Sequence, residues 1–377
     1  MARDPRGGTH PGLLLLHTLR LDREVDLDGL RPSWSCVSVD QLPALVQMER
    51  CGTWLLRRLR EIGADQVIKP EFMTWLVEQS RAGAARNLLV DARAMELGRW
   101  LSGKGVPFVF IKGIARRLLA ERHPYLDARV TSDVDVLLKA EDAEPVWKAL
   151  QDEGYRFATD PELTPTGHYH LIPLVQRDAV SVELHTSTSR RVLPEEEWRR
   201  STARALRIER EGLGHLVPSA SEMLWQTVAH AETDGVSAYH LRYFQDAAVL
   251  MASAEIDWTI IEGRFGGSDL ENPARMRGWF AGAAWLAGVT PPRAIGEGAI
   301  PFDLELAMRW RVAVLRMAGD RPRVIEKLVE QGTRTEAGLD IAESSSAPAG
   351  ALLLRRRFAH ASARRAYLAW RATAGRA

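Results

Sequence analysis

Asp133 and Asp135 stand two residues apart in Ser132-Asp133-Val134-Asp135-Val136-Leu137-Leu138. In a strand, residues i and i+2 share a side. Both carboxylates therefore project together while Val134 and Val136 turn to the core. Two carboxylates on one face repel each other unless a cation lies between them; the simpler alternative is a pair of surface acids. A second strand-like run, Ser181-Val182-Glu183-Leu184-His185, puts Glu183 on the side opposite Val182 and Leu184. His185 follows on that same side, where it could support the site or meet an acceptor. Lys112-Gly113 marks a strand-to-helix turn, which directs backbone N–H groups and a helix N-terminus at an anion. Three carboxylates and a phosphate-suited turn describe a site for magnesium and a nucleotide, because hard cations take oxygen ligands and magnesium keeps substrate phosphates in its shell. Two such ions about 3.5–4 Å apart can clamp the attacking and leaving oxygens of a phosphoryl displacement.

The elements that must position these residues follow from periodicity. Helical spacing appears at 42–46 and 54–62, and predicts separate helices over 70–81 and 82–101. At Gly103-Lys104-Gly105 the period changes. Val106–Ile111 reads as a buried strand, Ile114–Glu121 as helix, Asp133–Leu138 as strand, Ala140–Glu153 as helix closed by Gly154, and Tyr155–Ala158 as a short strand. Tyr169–Val175 and Val180–His185 read as a hairpin turning near Arg177-Asp178. The result is an α+β fold, a small mixed sheet with helices on one face. From Pro194 the chain reads as helical again. The division expected is an N-terminal helical region over 1–102, a catalytic core over 103–192, a C-terminal helical domain over 193–335, a linker over 336–350 and a basic helix over 351–377.

Composition narrows the classes. Over 377 residues the formal net charge is +1, so no global field favours nucleic acid or membrane. No apolar run approaches the roughly 20 residues of a membrane helix. Cys36 and Cys51 are the only cysteines, too few for a disulfide framework or a zinc site. A cytoplasmic location is the default expectation. Six of the 50 basic residues are lysine, so a lysine such as Lys112 stands out against an arginine background.

The text Phe110-Ile111-Lys112-Gly113, Arg129, Asp133-Val134-Asp135-Val136-Leu137-Leu138, Gly154-Tyr155 and Val182-Glu183-Leu184-His185 resembles the uncharacterised nucleotidyltransferase family of the DNA polymerase β-like superfamily, over roughly residues 35 to 300. The resemblance implies that Asp133 and Asp135 coordinate two Mg2+ ions, with Mn2+ as a substitute. It implies that Glu183 holds the catalytic ion and helps deprotonate an acceptor hydroxyl. Lys112 and Gly113 would take the place of the superfamily's Gly-Ser turn on the triphosphate. Ile114 departs from that pattern, since a serine hydroxyl is expected there. Lys112, Arg129 or Ser132 would supply the missing phosphate contact. His230 and Asp246 are either a buried polar pair holding helices together or part of the substrate pocket. Lys112 could equally be a solvated loop lysine or half of an ion pair, and His168 and His170 read as surface histidines.

The implied reaction moves a nucleoside monophosphate, AMP favoured, from a nucleoside triphosphate to a hydroxyl on a small molecule or natural-product intermediate, releasing pyrophosphate. Adenylylation of a protein or peptide is one alternative, and a nucleotide-binding interaction protein without turnover is another. Nucleic-acid end addition is disfavoured by the near-zero net charge.

Overall fold

The computed structural model describes residues 10–318 apart from 22–26, 121–125, 127–128, 159–168, 177–179, 190, 234–240, 267–269, 271, 298 and 300–303. The linker expected at 336–350, the basic helix expected at 351–377, His168 and the expected turn at Arg177-Asp178 lie outside the described residues.

Among the described residues, five α-helices precede the sheet: α1 (Pro11–Thr18), α2 (Leu27–Cys36), α3 (Leu42–Glu49), α4 (Gly52–Glu61) and α5 (Pro70–Gly103). Proline stands in the first turn of α1, α3 and α5, where its fixed φ suits the helix and its missing N–H costs nothing. The two helices expected over 70–101 are one 34-residue helix. Gly83, which weakens the helical pattern, is there for packing: a methyl group at this position would overlap Val130 Cγ2. The helix thus continues straight past it, against the chain segment that leads into the acidic strand.

The alternating core follows: β1 (Phe108–Phe110), α6 (Lys112–Leu119), β2 (Asp133–Leu138), α7 (Ala140–Asp152), β3 (Arg156–Phe157), β4 (Leu174–Val175) and β5 (Ser181–His185). The five strands form one sheet in the order β1-β2-β5-β4-β3. Only β2 and β5 run parallel; the other pairs are antiparallel. The mixed α+β sheet expected from the sequence is therefore present. α6 begins at Lys112, two residues before the expected start.

After the sheet come α8 (Pro194–Ala203), β6 (Leu206–Arg210), β7 (Leu213–Val217), α9 (Ala220–Thr233), α10 (Leu241–Ser253), α11 (Trp258–Arg264), α12 (Pro273–Ala287), α13 (Arg293–Gly296) and α14 (Leu304–Ala318). Between the helices expected near 195–206 and 219–232, the stretch for which the sequence predicts no element forms β6 and β7, a separate two-stranded hairpin. Its turn residues, Glu211 and Gly212, both have positive φ, at 51° and 77°. That is the backbone of a two-residue hairpin turn matching the strand twist. The hairpin also closes the face of the sheet that the sequence left bare: Leu216 of β7 and Trp198 of α8 pack on a cluster of Val109, Ile111 and Leu137. The other face buries Val134, Val136, Leu138, Val182 and Leu184 in the main core.

The helical layers are joined by aromatic and ionic contacts. Phe244 of α10 stacks on Trp279 of α12 at 4.1 Å between centroids. Glu49, at the end of α3, pairs with Arg311 of α14 at 2.8 Å and accepts the Leu241 N–H of α10 at 2.6 Å. Burial pushes the Glu49 carboxyl up in pKa against the pull of Arg311 and that N–H, so this junction costs desolvation and returns fixed geometry.

His215 of β7 lies buried against Phe108 and Phe110, and neither ring nitrogen has a hydrogen-bond partner. Burial pushes its pKa below the usual 6.5. An unfolded chain takes up a proton below that pH and the folded chain does not, so this residue lowers stability as pH falls through 6.5. His215→Leu should raise the unfolding free energy by about 1 kcal/mol at pH 8 and by more at pH 5.5, read from urea midpoints at the two pH values.

Candidate active site

The pairing of β2 with β5 builds the acidic floor. Asp133 lies opposite Ser181, Asp135 opposite Glu183 and Leu137 opposite His185. Parallel neighbours stand about 4.8 Å apart, so Asp135 and Glu183 are side by side, with Asp133 one pleat further along. All three face away from the valine-rich side of the sheet that fills the core. His185 is fully buried beneath them, with Nε2 at 2.9 Å from Asp135 Oδ1 and 3.4 Å from Glu183 Oε2. Asp135, Glu183 and His185 form a group able to hold a metal ion.

The turn into α6 aims Lys112 at this floor. Ile111 is extended and its N–H bonds to the Asp135 carbonyl at 3.1 Å. Lys112 then takes a left-handed backbone, φ 52°, an uncommon conformation for a residue with a Cβ. Gly113 follows because Thr131 presses against it; a methyl there would lie 2.6 Å from Thr131 Cγ2. The Lys112 Nζ lies 2.9 Å from Asp135 Oδ1, 3.8 Å from Glu183 Oε2 and 3.4 Å from His185 Nε2. Ile114 is buried in the core and offers the cavity nothing; Thr131 and Ser132 line it instead.

Charge is divided unequally across the floor. Burial would raise the Asp135 carboxyl, but Lys112 and the His185 hydrogen bond outweigh it and hold the group well below the carboxylate range. Glu183 is likewise lowered, burial being overcome by the His185 hydrogen bond and the Lys112 charge. Asp133 is pushed up to about 6, by burial first and then by the charges of Asp135 and Glu183. Lys112 is held in its charged form because Asp135 and Glu183 outweigh its burial.

Facing the acids is an arginine wall. α5 fixes the segment before β2: Asn87 donates to the Arg129 carbonyl at 3.1 Å and accepts the Thr131 N–H at 2.8 Å, and Arg86 donates to the Ser132 carbonyl at 2.6 Å. Arg129, so placed, pairs with Asp246 of α10. Arg116, one turn into α6, pairs with the same carboxylate at 3.1 Å and donates to Thr227 Oγ1 at 3.3 Å. Burial first, and then the charges of Arg116 and Arg242, push the Arg129 guanidinium down to about 9.

Lys112, Gly113, Arg129, Ser132, Asp133, Asp135, Glu183, His230 and Asp246 thus line one cavity of about 280 Å³. His185 lies under it rather than in it. His230 reaches it as part of an α9 face with Met223, Gln226 and Thr227, and its Nδ1 is 3.4 Å from the Tyr169 hydroxyl. Asp246 and His230 are not partners of each other in any described contact; Asp246 serves the arginines. Arg50, Arg116, Thr131, Tyr169 and Gln226 also line the cavity without having been singled out by the sequence, and Arg242 joins them. Arg116 had a usable signal, since it falls one helical turn after Lys112. His170, expected at the surface, is half-buried, lines the cavity and bridges to His185.

Residues 35–283 match the family described as uncharacterised nucleotidyltransferase, and the chain belongs to that family. No curated protein matches the sequence. The donor chemistry of the floor fits a hard divalent cation, since carboxylate oxygens converge on it and a positive side chain is already drawn among them. Among the described residues, no helix is long and apolar enough to cross a membrane.

Asp133 generates a test. Its carboxyl rises from 3.8 to about 6 on folding. Between those values the folded chain holds a proton that the unfolded chain has lost, so stability falls as pH rises, and the whole penalty is present above 6. In EDTA at pH 8, Asp133→Asn should therefore stabilise the protein by about 2 kcal/mol, allowing for partial exposure. The gain should shrink by pH 5. Equal thermal midpoints for wild type and variant at pH 8 would contradict this charge assignment.

Proposed function

We propose that this protein is a magnesium-dependent nucleotidyltransferase that moves the monophosphate of a nucleoside triphosphate, ATP favoured, to a hydroxyl of a small-molecule acceptor. The observation that supports the reading is the meeting of two opposite charges in one cavity: Asp133, Asp135 and Glu183 on the floor, and Arg116 and Arg129 on the wall. The floor suits metal ions and the wall suits a triphosphate, because guanidinium forks match phosphate oxygens. A cavity of about 280 Å³ lies just below the range of small-molecule sites, about 300–1,000 Å³, a size that favours a small acceptor over a folded surface.

Asp133, Asp135 and Glu183 would hold magnesium, which when bound neutralises charge building on the transferred phosphoryl group. Arg116 and Arg129 grip the phosphates that leave. Gly113 lets the chain pass close beside Thr131, and the start of α6 faces the same anion. The acceptor oxygen forms a bond to the α-phosphorus as the α–β bridging bond breaks, and pyrophosphate departs with that electron pair. Glu183, ionised at neutral pH, receives the hydroxyl proton. Most of the acceleration in such a site comes from positioning and charge, not from covalent chemistry by the protein.

The test is pyrophosphate release from ATP with magnesium across a panel of hydroxyl-bearing acceptors, comparing wild type with Asp135→Asn and Arg116→Ala. The asparagine variant should lose about 10³-fold or more in turnover through lost metal stabilisation. Arg116→Ala should raise KM for ATP by about tenfold, the equivalent of one charged hydrogen bond. Turnover by Asp135→Asn at the wild-type rate would refute the mechanism. Nucleotide binding without pyrophosphate release across the panel would point to a binding module instead.

A further inference from the structure

We infer that Lys112 is a built-in cation of the metal centre: its ammonium occupies the position among Asp135, Glu183 and His185, and the centre takes one divalent ion, on Asp133 and Asp135, where two were expected. This rests on the nucleotidyltransferase reading above, changes its metal count and takes Glu183 from the magnesium ligands to the ammonium.

Three observations carry it. The first is position. Asp135, Glu183 and His185 are the described residues grouped closely enough to share an ion, and Lys112 Nζ already lies within 3.8 Å of an oxygen or nitrogen of each. A cation entering that group would have to displace the ammonium from the 2.9 Å contact with Asp135. The second is donor type. His185 brings a ring nitrogen to the group, whereas magnesium prefers oxygen and its own waters. Asp133 and Asp135 offer oxygen only, on the side of the floor nearer the arginine wall and Ser132. The third is charge. One ammonium and one divalent ion neutralise three carboxylates. A second divalent ion would leave the floor positive beneath the wall that carries Arg116 and Arg129.

The local backbone agrees with this assignment. Lys112 holds a left-handed φ of 52°, an unfavourable conformation that persists where surrounding contacts impose it. Its ammonium is anchored on the carboxylates, and that anchor offsets the backbone cost. In a chain whose basic residues are mostly arginine, lysine is the residue required here. A compact ammonium fits where an ion would sit, and a planar guanidinium does not.

The experiment counts Mn2+ bound to the full-length protein without nucleotide, by electron paramagnetic resonance of the free ion. Wild type should bind one Mn2+ per chain. Lys112→Met, which keeps the stem and removes the charge, should bind two. Lys112→Gly should behave in the same way and relieves the left-handed backbone, so it serves if the methionine variant folds poorly; circular dichroism checks both. Two ions on wild type, or one ion on wild type and on both variants, would overturn the assignment. Pyrophosphate release from ATP by the same wild-type preparation reports separately on the reaction. Its absence across the acceptor panel refutes the proposed function, while two ions on an active wild type refute the Lys112 assignment alone.

Discussion

Burying negative charge is the constraint to which the rest of the molecule answers. Asp133, Asp135 and Glu183 share one face of a sheet whose other face is packed with valine and leucine. An ionised carboxylate in such surroundings costs several kcal/mol unless it is paired. The protein meets that cost unevenly. Lys112 and His185 converge on Asp135 and reach Glu183, keeping both ionised, while Asp133 is left to rise toward neutrality. The least satisfied acid is the one best placed to gain from an incoming cation.

The scaffolding follows from that division. Lys112 must reach back from a helix start to the strand beside it, so the turn adopts a left-handed residue followed by a glycine that Thr131 overlies. The segment bearing Arg129, Thr131 and Ser132 has no regular structure of its own, and α5 supplies its hydrogen bonds through Arg86 and Asn87. The same helix reaches α6 through a two-pronged contact of Asp91 with Arg117, at 2.7 and 2.5 Å. One rigid rod therefore sets the spacing between the arginine side of the cavity and the turn carrying Lys112.

Much of this was legible in the residues, for reasons of local geometry. A two-residue repeat in a strand places Asp133 and Asp135 together wherever that strand goes, and Glu183 with His185 likewise. The direct opposition of Asp135 and Glu183 was not legible, because register across a parallel pair 48 residues apart depends on the intervening chain. The arginine wall was hidden for a related reason. Arg50, Arg116, Arg129 and Arg242 come from four separate places, share no period, and meet only once the helices pack. The continuity of α5 across residues 81 and 82 was not legible, because Gly83 weakens the helical pattern beside that point and its packing against Val130 appears only in the fold. The β6–β7 hairpin was missed because its turn is Glu-Gly, not the Asn-Gly or Asp-Gly that most plainly marks such turns.

Asp246 has a consequence for how tightly anything can be held. Arg116 and Arg129 do not wait in water for a phosphate; each already has a carboxylate partner. A ligand arriving at this wall trades one anion for another, and only the difference between the two pairings appears as affinity. Under the proposed function, the wall would select a phosphate group yet hold it only by the difference between the two pairings. For a transfer that would discard pyrophosphate on every cycle, that discount favours rapid clearance of the site.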